Sequence, residues 1–388
     1  MFTGEIEVNK DFYVKHAFKF NYGELVPKNE IGNSDEYKDV YSKYSLVNKG
    51  DIVINGLNLN YDFVSQRVAC TPYDGIITSA YIVCRPRETV NYQYYTFLFK
   101  GMDSIKLFHG MGTGIRLTLS FKELRKQLLP LPPLAEQHSI VSFLDTKCTL
   151  LDTLLSNKEK QISLLQEMKQ RVIADAVTRG INPNVKFKAT NIPWLPEIPE
   201  HWEMSKVSSH FRQRNVKVSD KEYPALSVSK MGVTPQLDNV ALSNAEGNSR
   251  KLVKFGDYAV NSRSDRKGSC GVSQYEGSVS LITIVLEPFN IDRGYVHYLF
   301  RSNPWIEEFY RNGRGIVADL WTTNYQMMKG MYLPVPPLSE QRSIVSYITE
   351  RASKIDLLIE KLNNEIECIK EYKQRLISDV VTGQMKVC

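Results

Sequence analysis

The side chains best suited to chemistry in this chain are cationic. They recur in three short groups: Arg212, Arg214 and Lys217; then Arg263, Arg266 and Lys267; then Arg311 and Arg314. A guanidinium presents paired donors that match a phosphate or the O6/N7 edge of guanine, and an asparagine amide matches adenine. Taken singly, each arginine is better read as a solvated loop residue; their grouping, three times within about a hundred residues, points to a phosphate-facing side. The first third of the chain is thinner, with Lys106, Arg116, Arg125 and Lys126. Asn55, Asn58 and Asn60 suit base contacts and suit turns equally well, and both readings stand. Gly110-Met111-Gly112-Thr113-Gly114 lacks the Gly-Lys-Ser/Thr ending of a phosphate loop and is read as a tight turn. Its later counterpart, Asn312-Gly313-Arg314-Gly315, is also a loop, from which Arg314 can reach a nucleic acid.

Nothing in the sequence assembles a catalytic or metal constellation. The histidines His16, His109, His138, His201, His210 and His297 form no HxxxH pair and none lies near a cysteine pair. There is no GxSxG elbow, no Walker loop, no carboxylate pair followed by Glu-x-Lys, and no NPPY-type tetrapeptide that would hold a flipped base. Cys70, Cys84, Cys148, Cys270, Cys368 and Cys388 are scattered and are read as free thiols in a reducing cytoplasm. No basic segment followed by an apolar run opens the chain, and no stretch of about 18 apolar residues interrupts it, so neither a signal peptide nor a membrane span is expected. With 49 Lys+Arg against 43 Asp+Glu the net charge is +6, which permits a polyanionic partner without requiring one. A binding module is favoured over an enzyme, with no catalytic residue and no metal.

What must position the cationic groups is a repeat. Residues 129–178 align without a gap on residues 333–382, with shared Pro130/Pro334, Glu136/Glu340, Gln137/Gln341, Lys169-Gln170-Arg171/Lys373-Gln374-Arg375 and Asp175/Asp379. Upstream, Gly50-Asp51 and Asn55 answer Gly256-Asp257 and Asn261, Tyr73-Asp74-Gly75 answers Tyr275-Glu276-Gly277, and Gly114-Ile115 answers Gly315-Ile316. Two copies of one plan in a single chain imply a pseudo-two-fold, like a homodimer made covalent. The copies differ at their starts. The second opens on Ile198-Pro199-Glu200-His201-Trp202-Glu203, for which the first has no counterpart, so the first head is read as shortened.

Beyond Pro132-Pro133 and Pro336-Pro337, apolar residues recur in steps of three, four and seven. They are Ile140, Leu144, Leu151, Leu154, Ile162, Leu165 and Val172 in one copy, and Ile344, Ile348, Ile355, Leu358, Leu362, Ile369 and Leu376 in the other. Each stripe predicts a helix of about 40 residues, roughly 60 Å long. Such helices bury their stripes by packing on one another, antiparallel, as a spacer between two heads. A coiled coil for dimerisation alone is the weaker reading. The proline-rich 180–199 segment reads as a linker. Within the heads, Asp51–Ile54, Ala80–Cys84, Tyr258–Val260 and Leu281–Leu286 read as strands, and Tyr92–Lys100, Tyr295–Arg301 and Pro304–Tyr310 as short helices. The fold class is α+β: two similar mixed α/β heads separated by two long antiparallel helices.

Leu-Pro-x-Pro-Pro-Leu-x-Glu-Gln at 129–137 and 333–341, Ile-Pro-Glu-His-Trp-Glu at 198–203, and a Gly-Asp with a β-run in each head together resemble the specificity subunit of type I restriction–modification systems. The resemblance spans nearly the whole chain. It implies a target recognition domain at 1–135, a spacer helix at 136–182, a linker at 183–198, a second target recognition domain at 199–335 and a second spacer helix at 336–384. It further implies double-stranded DNA as ligand, read as a split asymmetric site. It implies as well that two methyltransferase subunits dock on the helices and that restriction (motor–nuclease) subunits join through them. On the same resemblance S-adenosylmethionine, ATP and Mg are expected in those partners and no cofactor in this chain. Three rival readings remain at this point: a protein-binding coiled-coil scaffold, the recognition part of a self-contained restriction–methylation enzyme, and a silent recombination cassette of a specificity gene.

Overall fold

The computed structural model describes residues 1–4, 6–28, 37–236, 249–315 and 321–387; Ile316 and Cys388 lie outside them. The helices longer than one turn are α1 (Tyr92–Ser104), α2 (Leu134–Arg179), α3 (Arg293–Leu299), α4 (Asn303–Arg311) and α5 (Leu338–Val381). The two stripes thus form the two long helices. The chain divides into two compact units, one comprising Met1–Glu159 with Asn363–Cys388, the other Lys160–Leu362. The boundary cuts both long helices, so each unit holds one head, the start of its own helix and the end of the other copy's.

In the first unit a four-stranded antiparallel sheet runs in the order β1 (Phe2–Thr3), β4 (Ile82–Pro86), β2 (Ile52–Ile54), β3 (Val68–Cys70). Short β-branched runs bounded by turns favour this, and alternation sends Ile52 and Ile54 to one face and Val53 to the other. Ile52 and Ile54 meet Tyr94, Tyr95, Leu98 and Phe99 of α1, Ile140 and Leu144 from the start of α2, and Leu376 and Val380 from the end of α5, in one buried cluster. Val53 joins Phe18, Val47, Ile77 and Val83 beneath a second layer of hairpins.

The second unit repeats the sheet order with β8 (Phe211–Gln213), β11 (Thr283–Pro288), β9 (Tyr258–Asn261) and β10 (Cys270–Val272). Ala259↔Val285 and Ala259↔Gly271 stand where Val53↔Val83 and Val53↔Ala69 stand in the first. Its core gathers Ile173, Ala176 and Val177 from the end of α2 with Ile344 and Ile348 from the start of α5. The proline-rich 183–198 stretch departs from its linker reading. It folds into an antiparallel hairpin, β5 (Phe187–Ile192) against β6 (Leu195–Pro199). Pro193 falls in its turn and Pro196 and Pro199 lie on a strand of a two-stranded ribbon, where a missing N–H is tolerated. The next strand, β7 (Glu203–Lys206), pairs with β12 (Tyr332–Val335), the strand that leads into α5.

The long helices run antiparallel within each unit. Asp152–Lys373 and Lys158–Glu365 bridge them in the first (2.6 and 2.5 Å), and Lys169–Asp356 in the second (2.7 Å). Leu144, Ile348 and Ile355 are buried, while Leu151, Leu165, Leu362 and Ile369 are half-buried. Leu154 and Leu358, expected in the packed stripe, are instead 41% and 48% exposed. Two helices bury a narrow seam that steps by three or four residues; from Leu151 and Ile355 it steps four, to the half-buried Leu155 and Ile359, which leaves Leu154 and Leu358 outside it. Ile366, absent from the predicted stripe, is buried. Among the described residues no helix is long and apolar enough to cross a membrane, and the cysteines Cys70, Cys84, Cys148, Cys270 and Cys368 are unpaired.

Candidate nucleic-acid interface

The repeated motifs are fasteners. Gly50 and Gly256 have φ of +89° and +84°, a left-handed turn that favours glycine. The aspartate after each is buried and accepts a backbone N–H three residues back: Asn48 to Asp51 at 2.8 Å, Lys254 to Asp257 at 2.9 Å. Each carboxylate then takes an arginine, Arg85 at 2.9 Å and Arg214 at 2.6 Å. Arg214, predicted to face DNA, is therefore committed to the core: it is largely buried, also meets Glu287 at 3.4 Å, and its pKa is raised first by the Asp257 hydrogen bond. The motif glutamines are also buried. Gln137 accepts from Asn91 N (2.8 Å) and donates to Pro132 O (2.8 Å); Gln341 accepts from Asp292 N (2.7 Å) and donates to Pro336 O (2.8 Å). Tyr94 donates to the carbonyl of Val381 (2.9 Å) and Tyr295 to that of Val177 (3.0 Å), so each head grips the end of the other copy's helix at an equivalent peptide.

At one end of each central sheet two loops are laced together. In the second head, Thr323 N donates to Ser262 O (3.0 Å) and Ser264 N to Trp321 O (2.9 Å). Arg314 and Thr322 exchange backbone hydrogen bonds at 3.1 Å, and Tyr310 Oη donates to Asn261 O (2.8 Å). This brings Arg263, Arg266, Lys267, Arg311 and Arg314 to one region, all exposed. Their charges differ in availability. Arg266 pairs with Asp265 (3.7 Å), Lys267 with Glu307 (2.9 Å), and Arg311 with Glu308. Among the described residues no acid pairs with Arg263 or Arg314, so these two keep the most field for an incoming phosphate. A cavity of about 480 Å³ opens beside them, lined by Trp194, Ser264, Lys267, Tyr310, Arg311 and Trp321 among others. Arg212 is not in the group. It lies near Glu287, at the opposite end of the strand pair, with its guanidinium 4.9 Å from the Phe289 ring centroid. Lys217 is exposed on another sheet, opposite Lys251.

The first head builds the same loop pair with other side chains. Leu119 N donates to Gly56 O (2.8 Å), as Thr323 does to Ser262, and Thr113 and Thr118 exchange hydrogen bonds at 3.1 and 2.9 Å. The turn thus spans Thr113–Thr118, with Gly114 at φ +77° and Ile115 at its tip 96% exposed beside the exposed Arg116, while Gly110 ends the short 3-10 helix Leu107–Gly110. Of the asparagines, Asn55 accepts from Leu57 N (3.2 Å), Asn58 takes φ +52°, and Asn60 donates to Ile115 O (3.3 Å), so all three shape the loop. Lys106 sits apart, half-buried at φ +59° before a short 3-10 turn, and Arg125 and Lys126 follow the one-turn helix Phe121–Leu124, exposed. Sequence reasoning missed Arg67. It is fully buried, and its guanidinium donates to the carbonyls of Asn55 (3.0 Å), Leu57 (2.8 Å) and Asp62 (2.7 Å), a fork that clamps the loop. It also missed the exposed Tyr61, Phe63 and Val64 that this clamp presents. The available signal was an arginine abutting the β-run Val68-Ala69-Cys70, after a turn with aromatic residues among asparagines. Among the described residues no group of three or more His, Cys, Asp or Glu could hold a metal.

A family model described as the type I restriction modification DNA specificity domain matches residues 4–164. The chain is 23% identical over 381 residues to the type I restriction enzyme MjaVIII specificity subunit of Methanocaldococcus jannaschii, covering 92% of this chain and 84% of that one. It is 24% identical over 291 residues to the EcoBI specificity subunit of Escherichia coli, covering 69% of this chain and 60% of the relative. In fold it is similar to a chain from a structural study of assembly and conformational transition in a type I R-M system, with TM-score 0.65, 14% identity, and 92% and 87% of the two chains covered. It is also similar to the HsdS subunit of Thermoanaerobacter tengcongensis, with TM-score 0.51, 16% identity, and 99% and 97% covered. The matched domain, the relatives and the duplicated architecture all point one way: residues 4–164 carry a type I restriction modification DNA specificity domain, and most of the chain is similar to type I restriction enzyme specificity subunits.

Proposed function

We propose that each head reads one half of a two-part DNA site through the loop pair at the end of its central sheet, and that the chain performs no chemistry of its own. The observation that carries this is the loop pair itself: the same backbone lacing recurs in both heads while the side chains it presents differ, Arg263, Arg314 and Trp321 in one and Tyr61, Phe63, Ile115 and Arg116 in the other. A common frame with divergent tips is what two different half-sites require. Phosphate contacts supply affinity and base contacts supply choice. On this reading the long helices fix the gap between half-sites. Their open apolar residues, Leu150, Leu154, Leu164 and Met168 on α2 and Leu357, Leu358 and Tyr372 on α5, receive two methyltransferase subunits. Restriction subunits join through those, and S-adenosylmethionine, ATP and Mg act there.

The test is methylation mapping of genomic DNA from cells carrying this chain with its methyltransferase and from cells lacking it. A split methylated-adenine motif that disappears with the chain supports the reading. No difference, with both proteins expressed and soluble, overturns it.

A further inference from the structure

Each head carries one more repeated element, a hairpin of its second layer. In the first unit Phe18–Asn21 pairs antiparallel with Glu24–Pro27, and in the second Leu226–Ser229 pairs with Gly232–Pro235. The two hairpins match closely. Phe18 stands opposite Pro27 as Leu226 stands opposite Pro235, and Lys28 N donates to Ala17 O (2.9 Å) as Gln236 N does to Ala225 O (3.0 Å). Ala17 and Ala225 each bridge a neighbouring strand in parallel, at Ile76 and Ser278. Phe18 and Leu25 are buried with Val53, and Leu226 and Val233 with its counterpart Ala259. Gly75 and Gly277 leave room for these side chains: an added Cβ would lie 2.6 Å from the Phe18 ring and 2.8 Å from Leu226 Cγ.

Both hairpins bring their turn to the loop end of the central sheet. In the first unit Tyr22-Gly23 takes the left-handed pair φ +44° and +78°, and a Cβ added to Gly23 would lie 2.5 Å from Gln66 Oε1, next to the Arg67 that clamps the 55–67 loop. In the second, Gly232 (φ +110°) passes over the start of β10, its Cα 3.0 Å from a Cβ added to Gly271. Arg301 locks it there, donating to Cys270 O (3.2 Å) and to Lys230 O. The turns themselves face outward: Tyr22 is 77% exposed and Met231 84%. Lys230 and Met231 border a groove of about 640 Å³ together with Lys169, Lys267 and Arg301. Lys169 and Lys267 are answered by Asp356 and Glu307, but among the described residues no acid pairs with Lys230 or Arg301. The groove therefore keeps a positive surplus beside the loop that carries Arg263.

We propose that the hairpin turn is a third DNA-contacting element of each head, Tyr22 in the first and Lys230 with Met231 in the second, laid against the duplex beside the loop pair. The inference rests on the reading that the loop pair faces DNA. One exposed apolar side chain is ordinary on a protein surface. Here the exposure recurs on the equivalent turn in both units, at the end of the sheet that presents the loops, and in the second unit an unanswered cation stands next to it. On a duplex the Lys230 ammonium meets a phosphate, while Met231 and Tyr22 meet sugar and base edges.

The test uses the full chain assembled with its methyltransferase on a duplex carrying the methylated motif. The photocrosslinking residue p-benzoylphenylalanine replaces, one at a time, Tyr22, Met231, Ile115, Trp321 and Tyr275. Tyr275, 43% exposed, follows β10 at the other end of the sheet and serves as the control. The probes at Tyr22 and Met231 should crosslink to DNA, each to one half of the motif, and the probe at Tyr275 should not. Lys230→Gln should lower the slope of log affinity against log salt by about one. Crosslinks from Ile115 and Trp321 with none from Tyr22 and Met231 overturn the hairpin assignment and leave the loop-pair reading intact. Crosslinks from neither pair overturn both. Crosslinks from Tyr22 and Met231 to the methyltransferase instead of DNA, crosslinks from Tyr275 as strong as theirs, or a salt slope unmoved by Lys230→Gln also overturn the hairpin assignment.

Discussion

Replacing Gln341 by leucine tests whether the motif glutamine is a fastener. The side chain is 1% exposed, and its amide answers two backbone groups that have no other partner among the described residues, the N–H of Asp292 and the carbonyl of Pro336. Leucine fills nearly the same volume, so the cavity term is small and the loss is of hydrogen bonds. Each buried orphan costs about 1–3 kcal/mol, partly offset because the amide itself no longer needs desolvating; a net loss of about 2–4 kcal/mol follows. At a urea m-value of about 2 kcal/mol/M, the unfolding midpoint falls by about 1–2 M. The assay is built into the sequence. All four tryptophans, Trp194, Trp202, Trp305 and Trp321, lie in the Lys160–Leu362 unit, so their fluorescence reports that unit alone. Gln341→Leu should move the tryptophan transition. Gln137→Leu, which orphans Asn91 N–H and Pro132 O, should move the circular-dichroism transition and leave the tryptophan one in place. A Gln341→Leu midpoint within about 0.3 M of the parent would refute the fastener argument. A tryptophan transition moved as far by Gln137→Leu would refute the separateness of the units.

The remaining predictions concern charge and length. Arg263→Gln and Arg314→Gln should each weaken DNA binding and lower the slope of log affinity against log salt by about one, measured by titration at several salt concentrations, while Arg212→Gln leaves the slope unchanged. Arg214→Met should instead destabilise by about 3–5 kcal/mol in urea, because it strands the buried Asp257 carboxylate. His297 is pushed down to about 4, first by burial and then by the Arg301 charge. The unfolded chain therefore takes up the proton first, and the stabilisation present above pH 6.5 is lost as pH falls toward 4. The tryptophan-monitored unit should lose about 2 kcal/mol over that window, and His297→Gln should flatten the dependence. A heptad inserted in α2 after Leu155 should lengthen the gap in the methylated motif and leave both half-sites unchanged, but only if α5 gains one after Ile369. Otherwise Lys158–Glu365 and Asp152–Lys373 can no longer both form across the pair.

The repeat, the long helices and the central strands were legible because each rests on a local periodic signal. The stripes at Ile140–Val172 and Ile344–Leu376 and the β-branched runs at 52–54 and 283–286 obey local rules. What stayed hidden was set by distant partners. Arg214 reads like any loop arginine until Asp257, 43 residues on, takes it into the core. Leu154 reads as stripe, and only the one-sided contact of a helix pair turns it outward. The 183–198 stretch reads as linker because three prolines outweigh the alternation Phe187-Lys188-Ala189-Thr190, and what fastens β5 and β6 is the helix end beside them, Arg179 reaching Glu197 and the Phe187 ring. Of the candidate loop cluster, the arginines could be named from the sequence, but the lacing that gathers Arg263 with Arg314 and leaves out Arg212 is tertiary.

The residues that made the family recognisable are not the loop residues proposed to read DNA. Pro-Pro-Leu-x-Glu-Gln closes each head onto its helix through a buried glutamine, Gly-Asp pins a turn through a buried aspartate, and Pro-Glu-His-Trp-Glu seals a strand pair through Glu340. A buried donor or acceptor must have one partner in one geometry, so such positions admit few substitutions. Loop tips held from below by Arg67 or by the Thr322 backbone carry no such demand, and Ile115 and Trp321 answer only to whatever they touch. A frame fixed by its interior with tips left free lets one fold take on a new half-site by exchanging a few loop side chains. It follows that grafting residues 113–116 and 61–64 of another such head onto the first unit, which leaves the buried Leu59 and its neighbour Leu117 in place, should change one half of the methylated motif, leave the other half and the gap intact, and leave the unfolding midpoint nearly unmoved. A graft that shifted both halves would show that the heads do not read independently.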